Sequence, residues 1–362
     1  MDSEMEIDSI NDIVQLAELN FFDWHRFGNV YVKAEDDLLL FNYSAKAAYA
    51  GRWNFFECVS RGLMINGKTG EIVARPFDKF FNWGEGGRTT TAPVMTIMEK
   101  MDGSLGILYR VGDNYRIATR GSFNSDQAKW ATSYLNQNFN LDDLPNELTL
   151  LFEIIYPDNR IVVDYGDFEG LLLLGARERT TGKYLHSSAV KGLAAQYGFP
   201  TPRVYEFFDI DELIENIKVL DTDIEGYVVE FGDGQRFKFK GKRYIELHRI
   251  ISNLTFKVTL REMQNDTLLE FLAFVPDEFL HDVYRWIELI QLTIRKVCQE
   301  VGIIFDDAPK NSRKEFAQWV MKNHKPLSTY LFAKLDGKEI EPIIYSHYDW
   351  TDVEEDKSDV HE

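Results

Sequence analysis

From about Val30 to Lys242 the chain alternates short apolar runs with Gly, Asp and Asn clusters, the pattern of strands separated by turns. Leu105–Arg110 and Tyr115–Thr119 read as a hairpin with Gly112, Asp113 and Asn114 at its turn. Leu148–Ile155, Gly170–Ala176, Gly226–Phe231 and Arg236–Lys240 read as further strands. Helical spacing interrupts them at Asn124–Asn138, Ser187–Tyr197 and Asp211–Leu220. The character changes after His248. Pro276 precedes a segment, Asp277 to Val301, in which Phe279, Leu280, Val283, Ile287, Ile290, Ile294, Val297 and Val301 recur every three or four residues. That period predicts a helix with one buried face. Ser312 and Glu315 form a capping-box pattern for another helix, ending near Asn323. These elements predict an α+β protein. An N-terminal domain, 1–250, would hold twisted antiparallel sheets with flanking helices. A mainly helical domain, 251–348, and an acidic tail, 349–362, would follow.

Composition narrows the class. The chain has 362 residues, and its 44 % hydrophobic content is enough for a buried core. No window of about 18 apolar residues occurs, so no membrane-spanning helix is expected. The start, MDSEMEIDSIND, lacks a basic stretch followed by an apolar one, so no secretory signal is expected. Cys58 and Cys298 are too few for a disulfide scaffold or a cysteine zinc site, which fits a reducing, cytoplasmic setting. The histidines show no metal-ligand spacing.

The net charge of −19 argues against a global attraction for nucleic acid. Part of the acid sits in the tail, where Asp352, Glu354, Glu355, Asp356 and Asp359 face one lysine. Such a run is expected to be solvated and disordered. Lys238, Lys240, Lys242 and Arg243 remain as a local basic cluster. Binding to phosphates would therefore be local and salt-sensitive.

The chemistry concentrates in EKMDGSLG, Glu99 to Gly106. Lys100 stands before Asp102-Gly103-Ser104, a turn signal between two apolar runs, with Gly103 suited to positive φ. A nucleophilic lysine must lose a proton held with an ordinary pKa of about 10.4. Nearby cations, a metal ion or burial would lower that value. Lys238 and Lys240 alternate with Phe237 and Phe239, so both lysines share one strand face, able to grip phosphate and act on Lys100. Glu153 ends the strand-like LTLLFE, and Glu225 opens EGYVVEF. Acids at strand ends suit a ribose hydroxyl or a divalent ion.

The ordered set KMDGS (100–104), LFE (151–153), EGYVV (225–229) and KFK (238–240) resembles the covalent nucleotidyltransferase superfamily of polynucleotide ligases and capping enzymes. SRGLMIN (60–66), ARPFDKFFN (74–82), TRGSF (119–123) and PDNRIVVDY (157–165) make the chain similar to the phage RNA ligase 1 family, the tRNA-repair type. The likeness covers about residues 40–250; beyond it the likeness is architectural. It implies that Lys100 is the nucleophile that takes AMP. It implies ATP contacts from Arg61, Lys79, Phe81, Glu99, Gly103, Arg120, Glu153, Lys238 and Lys240. Glu153 would hold the ribose, Glu225 would assist a metal, and Lys238 and Lys240 would meet the α-phosphate and pyrophosphate. Arg120 stands where the family usually has lysine. ATP as substrate, Mg2+ with Mn2+ able to replace it, and an RNA partner, tRNA in particular, are further implications. So are repair of a cleaved anticodon loop and a functional partner with polynucleotide kinase–phosphatase activity. The N-terminal domain would then be the adenylyltransferase and the helical one the tRNA-selecting part.

Each residue also has a plain structural reading. Lys100 could be a surface lysine in a hairpin turn, Lys238 and Lys240 the solvent face of a strand, and Glu153 a satisfied structural acid. Glu230 competes with Glu225 but falls on the other strand face by alternation. Phe81 could be core. The competing functions are a DNA ligase or a guanylyltransferase, both disfavoured by the helical C-terminal part, and a non-catalytic nucleotide-binding or virion-assembly protein, disfavoured by the intact motif set.

Overall fold

The computed structural model describes residues 6–207, 209–251, 254–275, 279–351 and 353. The chain divides into two compact units, Met1–Ile251 and Ser252–Glu362.

Three sheets build the first unit. Strands β1 (Val30–Glu35), β2 (Leu38–Tyr43), β3 (Arg61–Asn66) and β4 (Ile72–Ala74) pair antiparallel in chain order. The remaining strands are β5 (Phe81–Asn82), β6 (Val94–Lys100), β7 (Ser104–Val111), β8 (Asn114–Ala118), β9 (Leu148–Ile155), β10 (Gly170–Glu178), β11 (Val204–Tyr205), β12 (Gly226–Phe231) and β13 (Arg236–Lys240). The second sheet has the order β10-β9-β7-β8 and the third β11-β6-β12-β13-β5. The antiparallel sheets expected from the sequence are present, with one parallel pair. The third is mixed, because β5 lies parallel to β13, Phe237 beside Phe81 and Lys238 beside Asn82.

Strand alternation sorts the layers. Leu150, Phe152 and Ile154 of β9 pack with Leu135 of the helix Asp126–Asn138, whose start is capped by Ser125 accepting the Ala128 N–H. Leu151 faces the other way, into a core shared with Leu40, Met64 and Ile107. On that face of β9, two residues on, comes Glu153. In the third sheet Ile97, Tyr227, Val229, Phe237 and Phe239 form a core with Leu213 of the helix Ile210–Val219. The residues between them therefore point to the opposite face: Lys100 on β6, and Lys238 and Lys240 on β13.

The Leu105/Tyr115 hairpin forms as expected, between β7 and β8. The segment after Lys100 does not form a hairpin. Lys100 ends β6 in the third sheet, and Ser104 begins β7 in the second. Nor does Gly103 take a positive φ. Its lack of a side chain serves a close approach instead, since a Cβ there would lie 2.5 Å from the Ile154 carbonyl oxygen.

The second unit is helical: Phe256–Gln264, Leu268–Phe274, Leu280–Asp307, Arg313–Asn323, Ser328–Leu335 and Glu341–His347. The long helix begins at Leu280 and runs past Val301 to Asp307. Its Leu280, Val283, Ile287, Ile290, Ile294, Val297 and Val301 are all buried, the single face that the spacing predicts. Ser312 accepts the Glu315 N–H at the start of its helix. Residues 276–278, 352 and 354–362, and with them most of the acidic tail, lie outside the described residues. Among the described residues no helix is long and apolar enough to cross a membrane.

Gly226 has φ 148°, and a Cβ there would come within 2.0 Å of the Phe239 carbonyl oxygen. Gly226→Ala is expected to cost about 2–4 kcal/mol, through backbone strain plus overpacking. Thermal unfolding reads this directly. An unchanged midpoint would mean that the β12–β13 pair yields without cost.

Candidate active site

Gly226 organises the third sheet's open face. It stands in register with Lys100 of β6 on one side and Lys240 of β13 on the other. Two lysines thus face each other across a residue without a side chain. Glu225, just before the strand, turns its carboxylate into that gap. Its Oε2 accepts from Lys100 Nζ at 2.6 Å and its Oε1 pairs with Lys240 Nζ at 3.0 Å. The side chains are 3 % exposed for Glu225, 20 % for Lys100 and 10 % for Lys240, so this is an interior ion triad. Burial works against ionisation of Glu225. Lys100 and Lys240 more than offset it, and the carboxyl stays below its ordinary range. Glu230, the rival acid, pairs with Arg236 at 3.1 Å.

The partner nearest to Lys100 is therefore a carboxylate, where the sequence suggested neighbouring cations. Alternation would have sent Glu225 to the other face. It reaches Lys100 because it precedes β12 and because Gly226 departs from ordinary strand geometry.

Glu153 comes from the second sheet and is 9 % exposed. Its Oε1 accepts the Gly103 N–H at 2.9 Å. Burial pushes its pKa up to about 8; Lys100 opposes that rise, and Glu225 and Asp102 add to it. Gly103 thus binds an acid through its backbone and gives the β9 chain room to pass.

Asp102 was read only as part of a turn signal, yet it ties the site together. It is 3 % exposed. One oxygen accepts the Val162 and Val163 N–H groups, each at 2.8 Å, and the other accepts the Tyr244 hydroxyl at 2.6 Å. Its own N–H donates to the Tyr165 hydroxyl at 2.7 Å. Ser104 donates to Asn159 at 3.2 Å. The segment PDNRIVVDY is therefore the wall beside Lys100, which its sequence identity alone did not reveal.

A second group of cations collects on aromatic rings. Lys79 Nζ lies 5.2, 4.8 and 5.8 Å from the ring centres of Tyr43, Trp53 and Phe81. Arg120 donates to the Tyr43 hydroxyl at 2.6 Å and lies 4.9 Å over that ring. Phe80 joins the two groups, with Lys238 Nζ at 5.1 Å and the Arg61 guanidinium at 5.7 Å from its centre. Arg61 Nη1 is buried without a hydrogen-bond partner among the described residues. A buried donor left open costs stability unless an acceptor arrives, and a phosphate oxygen is a fitting one. Tyr43 and Trp53 carried no motif that could have marked them.

Glu99 is the exception among the expected site residues. Alternation on β6 turns it away from Lys100, and it accepts the Tyr205 hydroxyl at 3.2 Å on the opposite face. Phe81 sits at the start of β5 as half-buried support for Lys79.

No group of three or more His, Cys, Asp or Glu side chains that could hold a metal occurs among the described residues. Glu225 could serve as one carboxylate ligand. A magnesium ion typically takes one or two carboxylates plus substrate phosphates and water, and that sparse donor set fits.

A lysine at a strand end is thus opposed by strand lysines and flanked by two buried acids. The stretch that builds this site, residues 59–245, matches the family model described as RNA ligase, of the phage T4 RNA ligase 1 type, and the chain belongs to that family. Relatives agree. An RNA ligase of Rhodothermus phage RM378 is 24 % identical across 86 % of this chain and 87 % of its own. A protein of Thermovibrio ammonificans assigned as an RNA ligase is 32 % identical across 52 % of each chain. A protein of Autographa californica nuclear polyhedrosis virus assigned as a bifunctional polynucleotide kinase/RNA ligase is 28 % identical across 67 % of this chain. The matched stretch spans 38 % of that viral protein and 52 % of the Thermovibrio one.

Because the Glu153 pKa is raised, its contribution to stability is present below pH about 4.5 and is lost as pH climbs through about 8. Melting of wild type and Glu153→Gln between pH 5 and 9 should show the wild type falling behind, by several degrees, with the gap flattening above pH 8. A constant gap would mean that Glu153 is charged throughout.

Proposed function

We propose that this chain is an ATP-dependent RNA ligase that joins 5′-phosphate and 3′-hydroxyl RNA ends through a lysyl-AMP intermediate on Lys100. The observation that carries this reading is the ion triad. It holds a lysine amine in a pocket, beside a second lysine and facing an acid.

In the first step the Lys100 ammonium passes its proton on, and the triad is the group that must open to release it. Nζ attacks the α-phosphorus of ATP, the bond to the β-phosphate oxygen breaks, and pyrophosphate leaves. Lys240 and Lys238 lie on the same face to neutralise charge that develops on the phosphates. Arg61, Lys79 and Arg120 would meet the outer phosphates, the unfilled Arg61 Nη1 being the donor that waits for them. Glu153, held by the Gly103 N–H, would accept from the ribose. A divalent ion at Glu225, Mg2+ or Mn2+, would supply further charge neutralisation for the phosphates. In the second step an oxygen of an RNA 5′-phosphate attacks the adenylate phosphorus and Lys100 leaves as the amine. In the third the RNA 3′-hydroxyl attacks the activated 5′-phosphate and AMP departs. The site aligns the groups in each step.

The finer reading is repair of a tRNA cut in its anticodon loop, with the helical unit selecting the tRNA. A kinase–phosphatase that prepares the ends is the matching partner. The relative assigned as a kinase/ligase supports the pairing of the two activities.

Wild-type protein incubated with α-labelled ATP and magnesium should acquire one covalent AMP. Lys100→Ala should acquire none, and Lys240→Ala should form it more than tenfold more slowly. An adduct that survives Lys100→Ala rejects the mechanism. For the finer reading, tRNA broken in the anticodon loop should be sealed at least tenfold more efficiently than unstructured RNA. Equal efficiency would remove the tRNA assignment and leave the ligase.

A further inference from the structure

The segment after β5 carries a cation that none of the motifs absorbs. Trp83-Gly84-Glu85-Gly86-Gly87-Arg88 folds with positive φ at Gly84, Gly86 and Gly87. Gly84 to Gly87 are exposed, and added Cβ atoms at Gly84 and Gly87 would meet nothing within 4 Å. Arg88 does not extend into solvent from this loop. It lies back, with its guanidinium 4.2 Å from the centre of the Phe81 ring, the ring that also supports Lys79. Gly86 makes room for that pose, because a Cβ there would sit 2.5 Å from Arg88 Nη1.

The charge of Arg88 is left uncompensated. The loop's own acid, Glu85, is turned to Asn82, whose backbone and side-chain N–H groups both donate to it at 2.9 Å. Arg88 donates only to the Glu85 carbonyl oxygen, at 3.4 Å. Among the described residues no carboxylate lies within ion-pair distance of it. A guanidinium held over a ring, with one long hydrogen bond of its own, has N–H groups left for an anion and loses little rotamer freedom on binding.

Position decides which anion. Lys79 is enclosed by three rings, whereas Arg88 is half-exposed on a glycine loop at the rim beyond them. ATP brings its phosphates into the enclosed part. A polynucleotide also carries phosphates outward, past the rim. We propose that Arg88 is a backbone-phosphate contact for the RNA strand, acting in the joining steps more than in lysyl-AMP formation. This rests on the ligase reading.

The test compares wild type, Arg88→Ala and Arg88→Lys. Affinity for a 5′-phosphorylated single-stranded RNA is measured by fluorescence anisotropy across a salt series, and lysyl-AMP formation is measured against ATP concentration. Arg88→Ala should weaken RNA binding about tenfold and flatten the slope of log affinity against log salt by about 0.7, one phosphate contact's worth on a single strand. Its half-saturating ATP concentration should move far less. Arg88→Lys should restore the salt slope and part of the affinity. A larger effect on ATP than on RNA would assign Arg88 to the triphosphate and overturn the proposal. So would unchanged RNA affinity and slope in Arg88→Ala. Wild-type protein that binds RNA but forms no lysyl-AMP would sink the ligase reading, while the binding series would still judge Arg88.

Discussion

A carboxylate can be buried between two ammonium groups only if both reach it without crowding and its remaining surroundings repay the loss of water. Glu225, Lys100 and Lys240 meet this condition because Gly226 presents no side chain between the two lysine-bearing strands. Removing Glu225 would leave two interior ammonium groups without their counter-charge, at a cost of about 3–5 kcal/mol. The third sheet's register and the departure from strand geometry at Gly226 both serve that one arrangement. In the proposed lysyl-AMP chemistry the triad is the resting state: Lys100 is held in place, and released when its counter-charge is drawn away.

The second sheet contributes by approach more than by pairing. Gly103 lets the Lys100 segment pass against Ile154, and its N–H then binds Glu153. Asp102 draws the 162–163 backbone and Tyr244 to the same spot through three accepted hydrogen bonds. The first sheet brings Arg61, and the Tyr43–Trp53–Phe81 cluster holds Lys79. The ring faces attract the Lys79 ammonium and fix its place on this side of the site. A protein of net charge −19 can thus keep a strongly cationic interior face while its overall field repels nucleic acid.

Under the proposed function the arrangement also separates two tasks. The enclosed lysines and Arg61 suit a small triphosphate. The rim, where the glycine loop lays Arg88 on Phe81, suits a polymer that enters and leaves. Glu153, with its pKa raised to about 8, marks where a neutral or ligand-bonded acid is tolerated beside an ionised one, Glu225. Two acids in one pocket differ in charge because only one of them has lysines on both oxygens.

The chain's own pattern determined much of this. Strands β7, β8, β9, β12 and β13 follow from apolar runs and turn residues, and the buried face of the long C-terminal helix follows from its three-to-four spacing. The period of β13 by itself put Lys238 and Lys240 on one face. What it could not decide were relations between strands far apart in sequence. Glu225 was preferred over Glu230, but alternation does not explain how it reaches Lys100, because a glycine with φ 148° lies outside strand periodicity. Gly103 looked like a turn residue and is a close-approach residue. Asp102, Tyr43 and Trp53 acquired their roles only where other strands and loops met them. Local periodicity fixes which way a side chain leaves its strand, but the partner it meets is set by packing between sheets, which a linear pattern does not encode.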